Sequence, residues 1–316
     1  MDEIVSVALS GTADDLWAER NWAWHAPRRP ELKEELGLLE RLFPLEWRRV
    51  ELRVPGSKHQ MRSDLVTPGG QGRLLLLAAE LLRVMRASGD PRRIPTPGRL
   101  RDWRLYEPTK SELLVGPLLR EIGEVKPQPA GAGHGADYLV HTESGVHVAE
   151  VKRACTAARQ NRIAMDRSTI TRSGPIFTPE ELEQNTREDA LRLYPRVHHA
   201  AKQLKQSANS AVRRFGRSVG SVPGILFLDL DGNASLVNVR SKIDGWMALP
   251  WARSIDLVLF FDYNCREDAW GLTAEPIYSR TGHALDTLAR ALPRCDRPHF
   301  HVGNLPTGPC KYPLPF

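Results

Sequence analysis

Residues 136–152 read "ADYLVHTESGVHVAEVK", and the fold turns on how this stretch pairs. Tyr138 to Val140 and Val146 to Val151 alternate like two strands around a Gly-containing turn, which predicts a β-hairpin. If residues 142–145 form the loop, Asp137 falls directly opposite Glu150, and opposed Cβ atoms lie about 4.5–5.5 Å apart. A loop shortened to Ser144-Gly145 slides the pairing by two residues and keeps both acids on one face. In either register Lys152 joins them, because strand side chains alternate with a period of two. Three charged groups on one face of a buried strand pair need a chemical reason to be there.

Working outward, the extended piece "EVKPQ" (124–128) precedes the hairpin, and a helix is predicted over "TKSELLVGPLLREIG" (109–123), with Thr109 or Ser111 as cap and Gly123 as stop. After the hairpin a polar stretch, "DRSTITRSGPIFTPEE" (166–181), leads into a long helical segment from about 180 to 214. Two apolar strands follow, "GILFLDL" (224–230) and "SIDLVLFF" (254–261), separated by a variable segment from Gly232 to Ser254. Mixed strands flanked by helices predict an α/β fold around a small sheet. The first hundred residues differ. Helical patterns occupy "PELKEELGLLERLF" (30–43) and "GRLLLLAAELLRVMRAS" (72–88), "EWRRVELRV" (46–54) alternates like a strand, and the Pro- and Arg-rich "GDPRRIPTPGRLRDW" (89–103) reads as a linker. The expected division is a helix-rich domain over 1–105, a main α/β domain over 106–280, and a C-terminal helix and tail over 281–316.

The bulk properties narrow the function classes. Of 316 residues, 41% are apolar and 26% charged, as in a globular protein with a true core. A net charge of +6 favours polyanionic partners. No apolar run approaches the roughly 20 residues of a bilayer span, so no membrane is expected. The start "MDEIVSVALSG" lacks a secretory signal, and the four cysteines show no close pairing, so the expected location is the cytoplasm. Cys295, His299, His301 and Cys310 lie close together near the end, but their spacing matches no standard zinc finger.

Glu-x-Lys occurs three times, at 31–33, 124–126 and 150–152. Only the third has an acid across a hairpin; Glu124 and Lys126 run into "PQP", and Glu31 and Lys33 belong to an amphipathic helix. Two carboxylates with oxygen-only ligation suit Mg²⁺, which takes one or two acidic ligands plus waters and phosphate oxygens. A neighbouring lysine orients or deprotonates the attacking water, or neutralises charge building on the phosphate. The expected site is exposed, so that removing either acid costs activity and not folding.

A helix bearing Glu112, a strand with Asp137, then "EVK" at 150–152 resembles the PD-(D/E)XK, or restriction-endonuclease-like, nuclease superfamily over residues 107–262. The resemblance implies a restriction-endonuclease-like core, with Glu112, Asp137 and Glu150 holding Mg²⁺ or Mn²⁺ and Lys152 assisting the water. It implies DNA phosphodiester hydrolysis, endo- or exonucleolytic. Ala136 stands where the family name has proline, and Glu107 competes with Glu112 for the helix position. Expected nucleic-acid contacts are Arg153, Arg159 and Arg162, followed by Arg167 and Arg172, and Lys202 and Gln203 on the long helix beside His199 and Gln206. Further expected partners are a protein bound through the N-terminal domain and a second copy of the chain.

Overall fold

The computed structural model describes residues 33–51, 59–61, 64, 68–87, 97–127, 135–153, 179–215, 222–229, 239–265 and 270–280. Helices α1 (Lys33–Leu42), α2 (Leu45–Glu51), α3 (Pro68–Ala87), α4 (Pro97–Arg101) and α5 (Tyr106–Arg120) precede strands β1 (Glu124–Pro127), β2 (Tyr138–Thr142) and β3 (Gly145–Arg153). There follow α6 (Pro179–Phe215), β4 (Gly224–Asp229), α7 (Arg240–Met247), a 3₁₀ turn (Pro250–Ser254), β5 (Leu257–Cys265) and β6 (Trp270–Ser279). The six strands form one mixed sheet in sequence order. The described chain divides into two compact units, one of residues 33–127 with 263–274 and one of 135–262 with 275–280.

In the first unit the predicted amphipathic helices form. Leu36, Leu39 and Leu42 of α1 and Leu74, Leu77 and Leu81 of α3 are buried at helical spacing. The segment read as a strand at 46–54 is instead the helix α2 up to Glu51. The Arg48 amide bonds back to the Pro44 carbonyl at 3.0 Å, one helical turn away, and proline is at home at a helix start. The side chain of Arg48 is buried and bonds the Glu40 carboxylate at 3.1 Å. The linker segment is also partly structured: α4 lies inside it, Leu100 is fully buried, and Arg101 bonds the Arg41 carbonyl at 3.0 Å. Helix α5 starts at Tyr106, so the predicted caps Thr109 and Ser111 sit within it, both buried, and it ends at Arg120, before Gly123.

In the second unit β2 and β3 pair antiparallel, with Tyr138 opposite Ala149 and Thr142 opposite Gly145. The loop over 142–145 is therefore the one formed, and Gly145 leaves it at φ 134°, where L side chains are strained. Strand β3 pairs in parallel with β4, and β4 with β5. All six residues of β4 are buried, as expected of a strand with parallel neighbours on both sides. Leu139, Val146, Val148, Leu226, Leu228, Val258 and Phe260 share a core with Leu193, Val197, Ala201 and Leu204 of α6. The helical period predicts Val197, Ala201, Leu204 and Ala208 as an apolar stripe; the first three are buried there and Ala208 packs against the same core. Strand β6 is an addition to the predicted elements. The predicted C-terminal helix, the cysteine–histidine cluster and Arg159, Arg162, Arg167 and Arg172 lie outside the described residues.

Candidate active site

The last paired residues of the hairpin are Tyr138 and Ala149, and Asp137 stands in a bend one residue before β2, next to the end of the ladder where β3 continues to Glu150. Glu150 lies beside Leu226 and Lys152 beside Leu228, both residues of the core under α6. The alternation that buries Val148 in that core therefore puts Glu150 and Lys152 on the same sheet face. Of the three charged groups predicted to share a face, Glu150 and Lys152 do so, while Asp137 lies in the bend just before β2.

Each is held by a distinct contact. Asp137 Oδ2 accepts a 2.8 Å hydrogen bond from the Val151 amide, so its carboxylate takes a strand donor where the β2 ladder ends. The Lys152 ammonium contacts Glu150 Oε1 in a charge-assisted hydrogen bond. Glu150 is 0% exposed and the Lys152 side chain 20%. This corrects the expectation of an exposed acid: Glu150 sits in the central sheet, and its charge is offset inside the protein.

Helix α6 fixes the approach to this face. Ser207 Oγ accepts the Ala136 amide at 2.6 Å, and Gln203 Nε2 donates to the Gly135 carbonyl at 3.3 Å. Together they position the chain immediately before Asp137. At the other end Arg196 Nη1 donates to the Arg153 carbonyl at 2.7 Å. Gln203 is thus a backbone anchor, whereas Lys202 and His199 are exposed. Arg153 is half-buried.

Glu112 belongs to the first unit, where Arg99 Nη2 bonds both of its carboxylate oxygens at 3.1 Å. Its rival Glu107 is buried, accepting from Lys110 Nζ at 2.7 Å, while Lys110 also bonds Asp64 at 2.8 Å and the Tyr106 hydroxyl donates to Asp64 at 2.7 Å. Two carboxylates around one ammonium form a self-contained polar core, flanked by His59. Burial pushes the His59 imidazole below its usual range. The Met61 amide donates to Nδ1, so Nε2 carries the proton given to the Leu100 carbonyl.

The donor set fits Mg²⁺ in its sparse form, two strand carboxylates with the remaining positions left to water and phosphate. Among the described residues no three His, Cys, Asp or Glu side chains gather as a metal site. The same unit contains groups that the sequence pattern did not single out. Asp256, at the entrance to β5, accepts the Gly224 amide at 2.9 Å and pairs with Arg280 at 3.5 Å; burial pushes its carboxyl up against the pull of both partners. Tyr194 and His198 of α6 meet Trp246 and Trp251 in a ring cluster. Only the four-residue spacing of the first two was visible in the sequence. No helix among the described residues is long and apolar enough to cross a membrane. No family model, curated protein or solved structure matches the chain.

Proposed function

We propose that the chain hydrolyses phosphodiester bonds in nucleic acid, DNA before RNA, using Asp137, Glu150 and Lys152 with a divalent cation. The observation that supports this is a fully buried Glu150 with Lys152 on its face of β3, and Asp137 just before β2 bonded to the Val151 amide between them. A bound Mg²⁺ supplies charge neutralisation on phosphate oxygens and acidification of a water. Asp137 and Glu150 are the side chains that would hold it. Lys152, which offsets the Glu150 charge, would also present its ammonium to a bound phosphate. There it stabilises charge that grows in the transition state. Hydrolysis forms one bond from water oxygen to phosphorus and breaks one phosphorus–ester oxygen bond, the departing oxygen leaving with a proton. Glu112 enters this scheme through the family resemblance alone.

The test is cleavage of labelled single-stranded, duplex and branched DNA with Mg²⁺, Mn²⁺ or chelator. Activity with the cations, lost in Asp137→Asn and Glu150→Gln, is the expected result. Full activity in both variants, or none on any substrate with any cation, defeats the proposal. A second reading, a nucleic-acid-binding protein of the same fold that does not cleave, draws on the lack of a three-ligand group among the described residues. Binding without cleavage would select it.

A further inference from the structure

The ring cluster beside α6 has a geometry of its own. The Tyr194 and His198 rings are nearly parallel, 7° apart, with centroids separated by 6.4 Å. Trp246 and Trp251 stand edge-on to Tyr194 at 5.4 and 5.6 Å, and Trp251 is edge-on to His198 at 5.0 Å. These distances are those of mutual contact, so the rings enclose no cage for a cationic ligand. The cluster reaches the surface: Tyr194 is 37% exposed, His198 is half-buried, and Trp246 and Trp251 are half-buried against the core. The buried Trp251 Nε1 finds no hydrogen-bond partner among the described residues, a donor left over in an otherwise packed cluster.

The surrounding charge is basic. On α6 the spacing Leu191, Tyr194, His198, Lys202, Lys205 follows one helical stripe, with Leu191 76% exposed and both lysines exposed. On α7 Lys242 lies one turn before Trp246 and is exposed. Arg253 follows Trp251 by two residues and is exposed too. The nearest acid on α7, Asp244, sits two residues from Trp246 and so points to a different side of that helix. Two separate elements, α6 and α7, therefore each bring a cation within one helical turn of an aromatic of one cluster.

Aromatic faces interleaved with cations match single-stranded nucleic acid, in which bases stack on rings and phosphates lie along the charges. Duplex DNA keeps its base faces inside the stack, so it offers these rings nothing. We propose that Tyr194, His198, Trp246 and Trp251 form a base-stacking platform, flanked by Lys202, Lys205 and Lys242, for a single-stranded polynucleotide. This deepens the nuclease proposal by naming the substrate form, and it rests on that proposal only for what happens to the strand afterwards.

The experiment measures binding of a fluorescein-labelled oligothymidylate to the full chain by anisotropy in chelator, where a metal-dependent cleavage cannot occur. Tryptophan emission is followed in the same titration. Expected are quenching of that emission, preference for the single strand over duplex of the same length, and a Tyr194→Ala loss of affinity of about 5- to 150-fold, the range for removing one base–ring stack. Tyr194→Phe keeps the ring and should bind as the parent does. Should Tyr194→Ala unfold, Lys202→Glu with Lys205→Glu on the exposed stripe provides the second arm, lowering the salt slope by about 0.7 for each phosphate no longer neutralised. Equal affinity of parent and both variants, preference for duplex, or a concentration-dependent dimer that Tyr194→Ala abolishes overturns the platform. Cleavage that persists in Lys152→Ala defeats the nuclease site and leaves the binding result standing.

Discussion

The two copies of Glu-Val-Lys set up an internally controlled experiment. Each forms an ion pair within its strand. Lys126 meets Glu124 at 3.1 Å with side chains 46% and 66% exposed, whereas Lys152 meets a Glu150 that is 0% exposed and is itself 20% exposed. Removing Lys126 deletes a solvated pair, which costs about 0–0.5 kcal/mol. Removing Lys152 leaves a buried carboxylate without its cation, a change that costs about 3–5 kcal/mol when both partners are fully buried. Water reaches the lysine end, so the expected cost is about 3 kcal/mol, the low end of that range. Thermal melts in chelator should therefore separate Lys152→Ala from Lys126→Ala by roughly 6–12 °C, at about 2–4 °C per kcal/mol. The paired change Glu150→Gln with Lys152→Met removes both charges and should recover most of the loss. Mg²⁺ should raise the melting temperature of Lys152→Ala more than that of the parent, because the cation then replaces the missing charge. Cleavage by Lys152→Ala, measured where the variant is folded, should fall about 10²-fold or more. If the two alanine variants melt together and cleave alike, the assignment of Glu150 and Lys152 as a buried functional pair is wrong.

Two further outcomes are expected. An ideal Cβ on Gly224 would lie 2.0 Å from the Ser254 carbonyl oxygen, so Gly224→Ala must push β4 away from main chain and should cost about 1–3 kcal/mol in chemical denaturation; Gly245→Ala, facing open space within α7, should instead stabilise by about 0.5–1 kcal/mol, and matching midpoints for the two would contradict the close approach. For Asp256, whose carboxyl is raised by burial, the folded state holds the proton more tightly than the unfolded chain. That contribution is complete below the ordinary carboxylate range and is lost as pH rises through the raised value. Asp256→Asn should therefore gain stability relative to the parent as pH is raised from about 3.5 to 6, and a pH-independent difference in melting temperature would refute the shift.

The hairpin and its register were legible because turn and alternation are local: residues 138–151 contain both strands and the glycine between them. The buried stripe of α6 was legible for the same reason, its period of 3.6 running without interruption from Val197 to Leu204. What sequence could not supply is burial. The pattern that put Glu150 opposite Asp137 says nothing of β4 and β5 closing beside it, so a core acid was expected at an exposed site. The segment 46–54 misled because its alternation of Arg and apolar residues mimics an edge strand, whereas Pro44 at the helix start and the pairing of Arg48 with Glu40 decide for a helix. Strand β6 was overlooked because "WGLTAEPIYS" carries both Gly271 and Pro276, which mask its alternation. The tryptophans of the ring cluster come from two elements after β4, and nothing in their spacing points to α6.

Helix α6 contains Pro195 sixteen residues after it begins at Pro179. Proline has no amide hydrogen, so the carbonyl of Leu191, a residue 76% exposed, loses the donor that position 195 would otherwise supply. The segment after Pro195 is anchored through Val197, Ala200, Ala201 and Leu204, while in the segment before it only Asp189 and Leu193 are buried among the described residues. One continuous helix is thus two units of unequal local stability, and the seam between them falls beside Tyr194. Amide hydrogens before Pro195 should exchange with deuterium well ahead of those after it. Opening of the outer half would carry the Tyr194 ring away from the two tryptophans while His198 stays in place, so the ring surface could be dismantled and rebuilt without disturbing the sheet that holds Glu150.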